Sequence, residues 1–326
     1  MRSYLLFLFC FFAATTVFAQ NHRDEFGVQT DNDSYLATGS DRYYTNGLFF
    51  YFHHALPVGN PDSTSLQNKI LGFELGQKMY NAQAGNIPAS MYVDRPYAGY
   101  LYVASTLNLL FKNESSIKLS AQLGIVGPSS LAGATQVWIH QTFGLYQILG
   151  WQYQIKNDPE LNLSMEYNKL LARGAAVDLS LTSYANLGNG FTGAGVGPLL
   201  RIGNFNQLFH SQSTQSNVIA RDNIKPLHPH ELFFYYKPQI NWVGYDATIQ
   251  GGLLESHNDS DEDYYNYNGE VVRTPEPFIF SQQIGGVYST DRWVYDASVV
   301  VQTKDTKDMV HSTHQWGSIQ VLYRFN

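Results

Sequence analysis

Segments in which apolar and polar residues alternate recur along the chain, and each is closed by a turn. Successive side chains of a strand point to opposite faces, so alternation over about ten residues is typical of a strand with one apolar face. The segments are 25–31, 44–56, 68–80, 97–111, 115–127, 161–173, 175–187, 190–204, 230–244, 276–288, 292–303 and 312–325. This even number predicts an all-β fold, a transmembrane antiparallel β-barrel of about 12 strands.

A soluble β-sandwich would show the same alternation. Aromatic residues at the strand ends favour the membrane barrel, and the last segment, 318–325, alternates and ends near an aromatic residue, as suits a closing strand. With 15% aromatic and 14% charged residues, the composition is that of a β-protein. The net charge of -7 argues against nucleic acid as a partner, and nothing in the pattern indicates an obligate protein partner.

The first residues have the layout of a secretory signal peptide. A charged start is followed by the apolar run Leu5 to Phe12 and by a small-residue ending, which predicts cleavage after Ala19. Residues 1–19 are therefore expected to be removed, leaving 20–326 as a single barrel domain in the outer membrane of a bacterium. Cys10 lies within the leader, so the mature chain would have no thiolate for a metal site or for nucleophilic catalysis.

The connections between strands sort by length. If the first strand starts on the periplasmic side, the connections that follow odd-numbered strands face outward, and most are long. One inner connection, 205–229, breaks this rule because it is long and rich in Ser, Gln and Asn; it leads into His228-Pro229-His230, which we interpret as a solvated turn. The segment 130–150 does not alternate, and its spacing predicts a helix over about 133–149 in an outer loop.

Several polar residues fall on this outward side and can converge there. Asn32 and Asp33 follow the first strand, Thr45 opens the second, Arg95 precedes the fourth, and His140 lies on the predicted helix. Carboxylate and amide oxygens suit Ca²⁺, although an Asx-rich turn gives the same local sequence. An arginine can grip a phosphate, and an imidazole can take a proton from water. The acidic loop 257–263 is a rival metal site, which we interpret as solvated.

These motifs, taken in order, resemble the lipid A 3'-O-deacylase (LpxR) family. They are Asn32-Asp33, the run 41–47, the run Asp94-Arg95-Pro96-Tyr97-Ala98-Gly99, Gly127-Pro128, Gln136 to His140 and the run 150–157. The resemblance spans essentially the whole mature chain. It implies a twelve-stranded outer-membrane barrel that uses Ca²⁺ to hydrolyse the 3'-linked acyloxyacyl group of lipid A, the anchor of lipopolysaccharide in the outer leaflet.

The resemblance also implies roles for the five residues. Asp33 would be a Ca²⁺ ligand supported by Asn32, Thr45 an active-site hydroxyl, Arg95 a basic residue near the lipid phosphates, and His140 the general base. The chain departs from the pattern at Asp94, where a second basic residue beside Arg95 is expected, and no acidic residue follows His140 within a full helical turn.

Two other functions fit the same pattern. One is a non-catalytic barrel, either a porin-like channel or a surface protein that binds lipopolysaccharide. The other is a phospholipase barrel with a Ser-His-Asn arrangement, for which an exchange of roles between Ser34 and Thr45 is conceivable.

Overall fold

The computed structural model describes residues 22–37, 41–59, 64–220, 225–253 and 269–326. The predicted leader, 1–19, and the acidic loop, 257–263, lie outside the described residues. Among the described residues, no helix is long and apolar enough to cross a membrane.

Twelve antiparallel strands close into a barrel in which each strand pairs with its neighbours in sequence and β1 pairs with β12. The predicted fold class is confirmed, and most predicted strand ends lie within two residues of those observed. The strands are β1 (Asp24–Asn32), β2 (Tyr44–Ala55), β3 (Leu66–Tyr80), β4 (Ala98–Phe111), β5 (Ser115–Val126), β6 (Asp158–Arg173), β7 (Val177–Gly188), β8 (Phe191–Asn204), β9 (Glu231–Asp246), β10 (Phe278–Ser289), β11 (Trp293–Thr303) and β12 (Thr313–Phe325).

The alternation in sequence becomes two faces of the barrel wall. In β2, Phe49 and Tyr51 point into the lumen and are buried, whereas Leu48 and Phe50 point outward and are exposed. The outward face of the other strands likewise carries large apolar side chains. This exposed apolar surface is what a bilayer covers.

The two rims of the barrel differ. Connections that follow odd-numbered strands meet at one rim, which we call the loop rim; short turns such as 112–114 and 174–176 meet at the other, the turn rim, together with the first and last strand ends. The long exception at the turn rim folds into the barrel, and most of residues 205–220 are buried there. We call 205–220 the plug.

The predicted outer-loop helix exists but is shorter than expected. Helix α1 (Ala132–Phe143) ends because Gly144 adopts a left-handed conformation, at φ 65°, and its amide donates back to Gln141. This is the usual glycine termination of a helix. The apolar residues that follow, including Leu149, form an extended segment; the Leu149 amide donates to the carbonyl of Gly85. The only other α-helix of the described residues is α2 (Ala247–Gln250).

Candidate active site

Helix α1 lies against the outside of the barrel wall, over β3 and β4. Gly99 on β4 has no side chain, which allows Ala132 to approach the wall; a Cβ built on Gly99 would lie 2.3 Å from the Cβ of Ala132. The helix buries Gln136 and His140 against the barrel, while Trp138 and Phe143 are 63% and 71% exposed. The helix therefore turns Gln136 and His140 toward the wall and leaves Trp138 and Phe143 toward the surroundings of the barrel.

His140 is held by a hydrogen bond at one ring nitrogen in the crevice between α1 and the wall, and its other ring nitrogen faces a carboxylate. Its Nδ1 lies 2.8 Å from the carbonyl oxygen of Tyr146, and its Nε2 lies 3.2 Å from Oδ2 of Asp41. Because a carbonyl oxygen can only accept a hydrogen bond, the contact with Tyr146 assigns a proton to Nδ1. Nε2 is then the atom that can accept a proton.

Asp41 is the carboxylate at the centre of these contacts. Its Oδ2 also accepts a hydrogen bond from the hydroxyl of Tyr146, and its Oδ1 accepts one from the Gln136 amide at 3.4 Å. Gln136 is held in turn by the indole N–H of Trp151, which donates to Gln136 Oε1 at 2.9 Å. Burial, together with the hydrogen bond to Asp41, raises the pKa of Tyr146 above its ordinary value, so this phenol remains a donor.

Asp33 lies on the adjoining turn at Asp33–Leu36 and is 2% exposed. Its Oδ2 accepts a hydrogen bond of 3.0 Å from the backbone amide of Arg42, next to Asp41 in sequence. Burial raises the pKa of Asp33 to about 6; the Arg42 amide opposes this rise and the negative charge of Asp41 adds to it. The two acidic side chains thus lie close enough to influence each other's charge.

Asn32 and Thr45 are joined through Asn46. The amide of Asn32 donates to Asn46 Oδ1 at 2.5 Å, and the amide of Asn46 donates to Thr45 Oγ1 at 3.2 Å. The pairing of β2 with β3 is irregular between Tyr44 and Asn46, so Thr45 is the additional residue of a bulge. The bulge lets Thr45 and Asn46 make contact although they are consecutive in a strand.

Arg95 lies on the lumen side of the wall, apart from this group. Its Nε donates to Asp305 at 3.0 Å, its Nη2 donates to Thr248 at 3.1 Å, and its guanidinium stacks on the ring of Tyr80. The side chain is 1% exposed. The position at the loop rim agrees with the sequence prediction, but the structure does not bring Arg95 to His140, and its substrate-binding role stays a prediction.

Two residues of the site were missed by sequence reasoning. The search for an acidic partner of His140 followed the helix, whereas the partner, Asp41, comes from the connection between β1 and β2. Tyr146 was assigned to the predicted helix, yet it reaches His140 because the helix ends at Gly144 and the chain turns back. The motif that contains Asp41 was the available signal.

The donor chemistry around Asp33 fits the Ca²⁺ that the resemblance implies. Asp33 and Asp41 supply carboxylate oxygens, which are hard ligands, and a nearby cation would favour the charged form of the buried Asp33. Among the described residues, no group of three or more His, Cys, Asp or Glu side chains has metal-binding geometry. Such a site would therefore need amide, carbonyl, water or substrate oxygens to complete its coordination.

Among solved structures, that of an LpxR protein supports the fold. The structure of LpxR from Salmonella typhimurium matches with a TM-score of 0.71 at 17% identity, covering 92% of this chain and 100% of that one. The β domain of the Bordetella autotransporter BrkA matches with a TM-score of 0.45 at 10% identity, covering 94% of this chain and 100% of that one. No curated protein matches the chain in sequence.

The family model described as outer membrane protein LpxR matches residues 5–325. This range contains every strand of the barrel, helix α1 and all the residues of the candidate site. The chain therefore belongs to the LpxR family of outer-membrane proteins.

Proposed function

We propose that the chain is a lipid A deacylase that hydrolyses the 3'-linked acyloxyacyl ester of lipid A in the outer leaflet, with Ca²⁺ as cofactor. The observation that carries this proposal is the pairing of His140 with Asp41 in a crevice on the outside of the barrel wall. A base in this position faces the surroundings of the barrel, where a membrane lipid is found, rather than the lumen.

The reaction needs a base that takes a proton from water. With Nδ1–H donated to Tyr146, Nε2 of His140 accepts that proton as the water oxygen attacks the ester carbonyl carbon. Collapse of the tetrahedral intermediate breaks the bond to the alcohol oxygen, and His140 returns the proton to that oxygen. The products are the free acyloxyacyl acid, which carries both acyl chains, and a lipid A with a free 3'-hydroxyl, so no acyl-enzyme is required.

Asp41 stabilises the charge that His140 acquires. When Nε2 is protonated, the imidazolium lies 3.2 Å from a carboxylate oxygen, and a close opposite charge favours the protonated form. Asp41 is itself oriented by Gln136 and Tyr146. The helix, the loop after it and the first long connection therefore cooperate in holding one proton acceptor.

The remaining residues act on the carbonyl oxygen of the ester. Ca²⁺, when bound at Asp33, would supply positive charge that stabilises the developing oxyanion. The hydroxyl of Thr45, which donates to the carbonyl of Met79 at 3.5 Å, would turn its proton toward the oxyanion, and Asn32, through Asn46, holds the hydroxyl oxygen in place. A preorganised donor is worth most where charge develops in the transition state.

A porin-like channel is less well supported because the plug occupies the lumen at the turn rim. Asn68 and Asn108 on the wall donate to plug carbonyls, at 2.9 Å to Val218 and at 2.8 Å to Thr214. Gln212 of the plug reaches Gln320 on the last strand. Polar residues that would line an open channel are instead engaged by the plug.

Mass spectrometry of lipid A from cells expressing the chain tests the proposal. We expect the mass of the 3'-linked acyloxyacyl group to be lost in the presence of Ca²⁺ and retained after chelation. His140→Ala and Asp33→Ala should insert normally and leave lipid A unchanged. An unaltered acyl pattern with the correctly inserted wild-type chain, in a host whose lipid A carries that group, would overturn the proposal.

A serine-directed phosphonate separates this mechanism from a phospholipase with a serine nucleophile. A covalent adduct on Ser34 would contradict the water mechanism, because the water mechanism has no acyl-enzyme. Retention of activity after Ser34→Ala would agree with it.

A further inference from the structure

Asp94 lies at the junction of three connections of the loop rim. Its side chain is 7% exposed. Oδ1 accepts hydrogen bonds from the backbone amides of Gln83, at 2.8 Å, and Arg95, at 3.0 Å. Oδ2 accepts from the hydroxyl of Tyr43, at 2.7 Å, and from the amide of Val310, at 3.0 Å. Four donors from three separate connections converge on one carboxylate.

Tyr43 transmits this anchoring to the candidate active site. It follows Asp41 and Arg42 in sequence, and its backbone is fixed on both sides: its amide donates to Ala82 at 3.2 Å and its carbonyl accepts from Asn81 at 2.8 Å. The segment is conformationally demanding, since Asp41 and Tyr43 both have positive φ, at 41° and 63°. Non-glycine residues rarely adopt this conformation unless the surrounding structure holds them there.

We infer that Asp94, through Tyr43, is a positioning residue that holds Asp41 against His140 and the Arg42 amide against Asp33. This inference rests on the proposed function for its catalytic consequence. Asp94 does not grip a lipid phosphate, because its carboxylate is buried among four donors and carries the wrong charge. Asp94 therefore acts by joining the connections of the loop rim.

Two single substitutions test the inference in the full-length protein reconstituted in outer-membrane lipid. Tyr43→Phe removes one hydroxyl and retains the ring, which packs against His311 and His314. Asp94→Asn retains the size of the side chain but places an amide donor among donors. We expect kcat on lipid A to fall about tenfold for Tyr43→Phe and on the order of 100-fold for Asp94→Asn, because small displacements of reacting groups have large effects on rate. KM should remain within about twofold, since neither residue contacts substrate.

The lumen offers a matched control of the same chemistry. The hydroxyl of Tyr235 donates to Asp296 at 3.0 Å, a second tyrosine–carboxylate pair of similar geometry. Tyr235→Phe and Asp296→Asn should leave kcat unchanged even where they lower thermal stability. The double variant Tyr43→Phe/Asp94→Asn should be close to Asp94→Asn alone, because both substitutions disturb the same Tyr43–Asp94 hydrogen bond.

Hydrogen exchange provides a readout that does not depend on catalysis. The Arg42 amide is protected by Asp33 in the wild-type chain. Peptides covering residues 41–46 should exchange faster in Tyr43→Phe than in the wild type and at the wild-type rate in Tyr235→Phe.

These measurements separate the two proposals. If the wild-type protein has no deacylase activity but Tyr43→Phe exchanges faster than the wild type, the positioning inference is supported and the deacylase is refuted. Unchanged exchange and unchanged kcat in Tyr43→Phe would overturn the inference while leaving the deacylase intact, and so would equal loss of kcat in Tyr235→Phe. If Asp94→Asn fails to insert, Tyr43→Phe alone decides the outcome.

Discussion

The candidate site and the plug are both polar, buried clusters, yet they treat charge differently. In the plug region Arg201 and Asp178 are at most 1% exposed and pair through two bonds of 2.9 and 2.6 Å. At the site, Asp33 and Asp41 are close enough for the charge of Asp41 to raise the pKa of Asp33. The wall beside the plug therefore pairs each of these two charges, whereas the site keeps two acids beside one imidazole.

This difference indicates what each region is built for. A buried ion pair whose remaining donors also find partners resists change, and Arg201 donates further to Ser211 and to the carbonyl of Asn206. A pair of carboxylates in a crevice is costly unless a cation or a proton joins it. The plug therefore contributes to stability. The site, under the proposed function, is the part that would bind Ca²⁺ and react with the ester.

His140→Gln should give the largest effect and should affect only one side of the comparison. Loss of the proton acceptor should lower kcat by about 10²- to 10⁴-fold while the unfolding temperature stays close to that of the wild type. The control is His54→Gln, which removes another His–Asp pair, with Nδ1 of His54 at 2.6 Å from Asp24. A similar loss of activity in both variants would show that His140 acts only in folding.

Arg201→Met should produce the opposite result. Removing the guanidinium leaves Asp178 buried without its ion-pair partner, and such a change costs about 3–5 kcal/mol. The unfolding temperature should fall markedly, while the kcat of the protein that remains folded is retained. The unfolding temperature is measured from the change in electrophoretic mobility when the heated barrel unfolds. Arg273→Met, which breaks a partly exposed contact of 3.7 Å with Asp308, should cost less than about 1 kcal/mol.

Asp41→Asn sharpens the account of the site itself. The amide cannot stabilise the imidazolium as a charge, so we expect kcat to fall about 10- to 100-fold, less than for loss of His140 itself. Asp308→Asn, at an exposed carboxylate of the same rim, is the control and should retain wild-type kcat. Wild-type kcat in Asp41→Asn would show that the contact with His140 is not used.

The plug should be the more acid-sensitive in stability. Burial, with a contribution from Arg324, lowers the pKa of His210 to about 3 from an ordinary value of about 6.5. The folded state therefore favours neutral His210, so its contribution is complete above pH 6.5 and is lost as pH falls toward 3. At pH 5 the loss is at most about 2 kcal/mol, because the side chain is partly exposed. The fall in unfolding temperature between pH 7.5 and pH 5 should be smaller for His210→Gln than for the wild type.

The strands could be predicted closely because their pattern is local. One face of each strand contacts lipid and the other contacts the lumen, so the alternation marks each strand without reference to its neighbours. The end of α1 was predicted too late because Leu145, Ile148 and Leu149 continue the helical spacing, while Gly144 stops the helix.

The site was predicted only in part because contacts across the barrel leave no local trace. Chain parity places Arg95 and His140 at the same rim, but it does not say on which side of the wall each side chain lies. The sequence placed Asp41 in a motif but gave it no role, because its contact with His140 depends on how two loops fold over the wall. From the sequence, Asp94 stood where a second basic residue was expected. In the structure its carboxylate accepts hydrogen bonds from four donors.

The closure of the barrel by β1 and β12 has a consequence for biogenesis. The turn that carries Asp33 packs on β12, where a Cβ on Gly317 would lie 2.9 Å from the Cβ of Tyr35. Asn32 pairs with Gly317 on β12, the strand that closes the barrel against β1. The first and last strands of the barrel must therefore meet before the candidate site is complete. Under the proposed function, a chain whose barrel has not closed would be inactive, and the appearance of activity would time barrel closure.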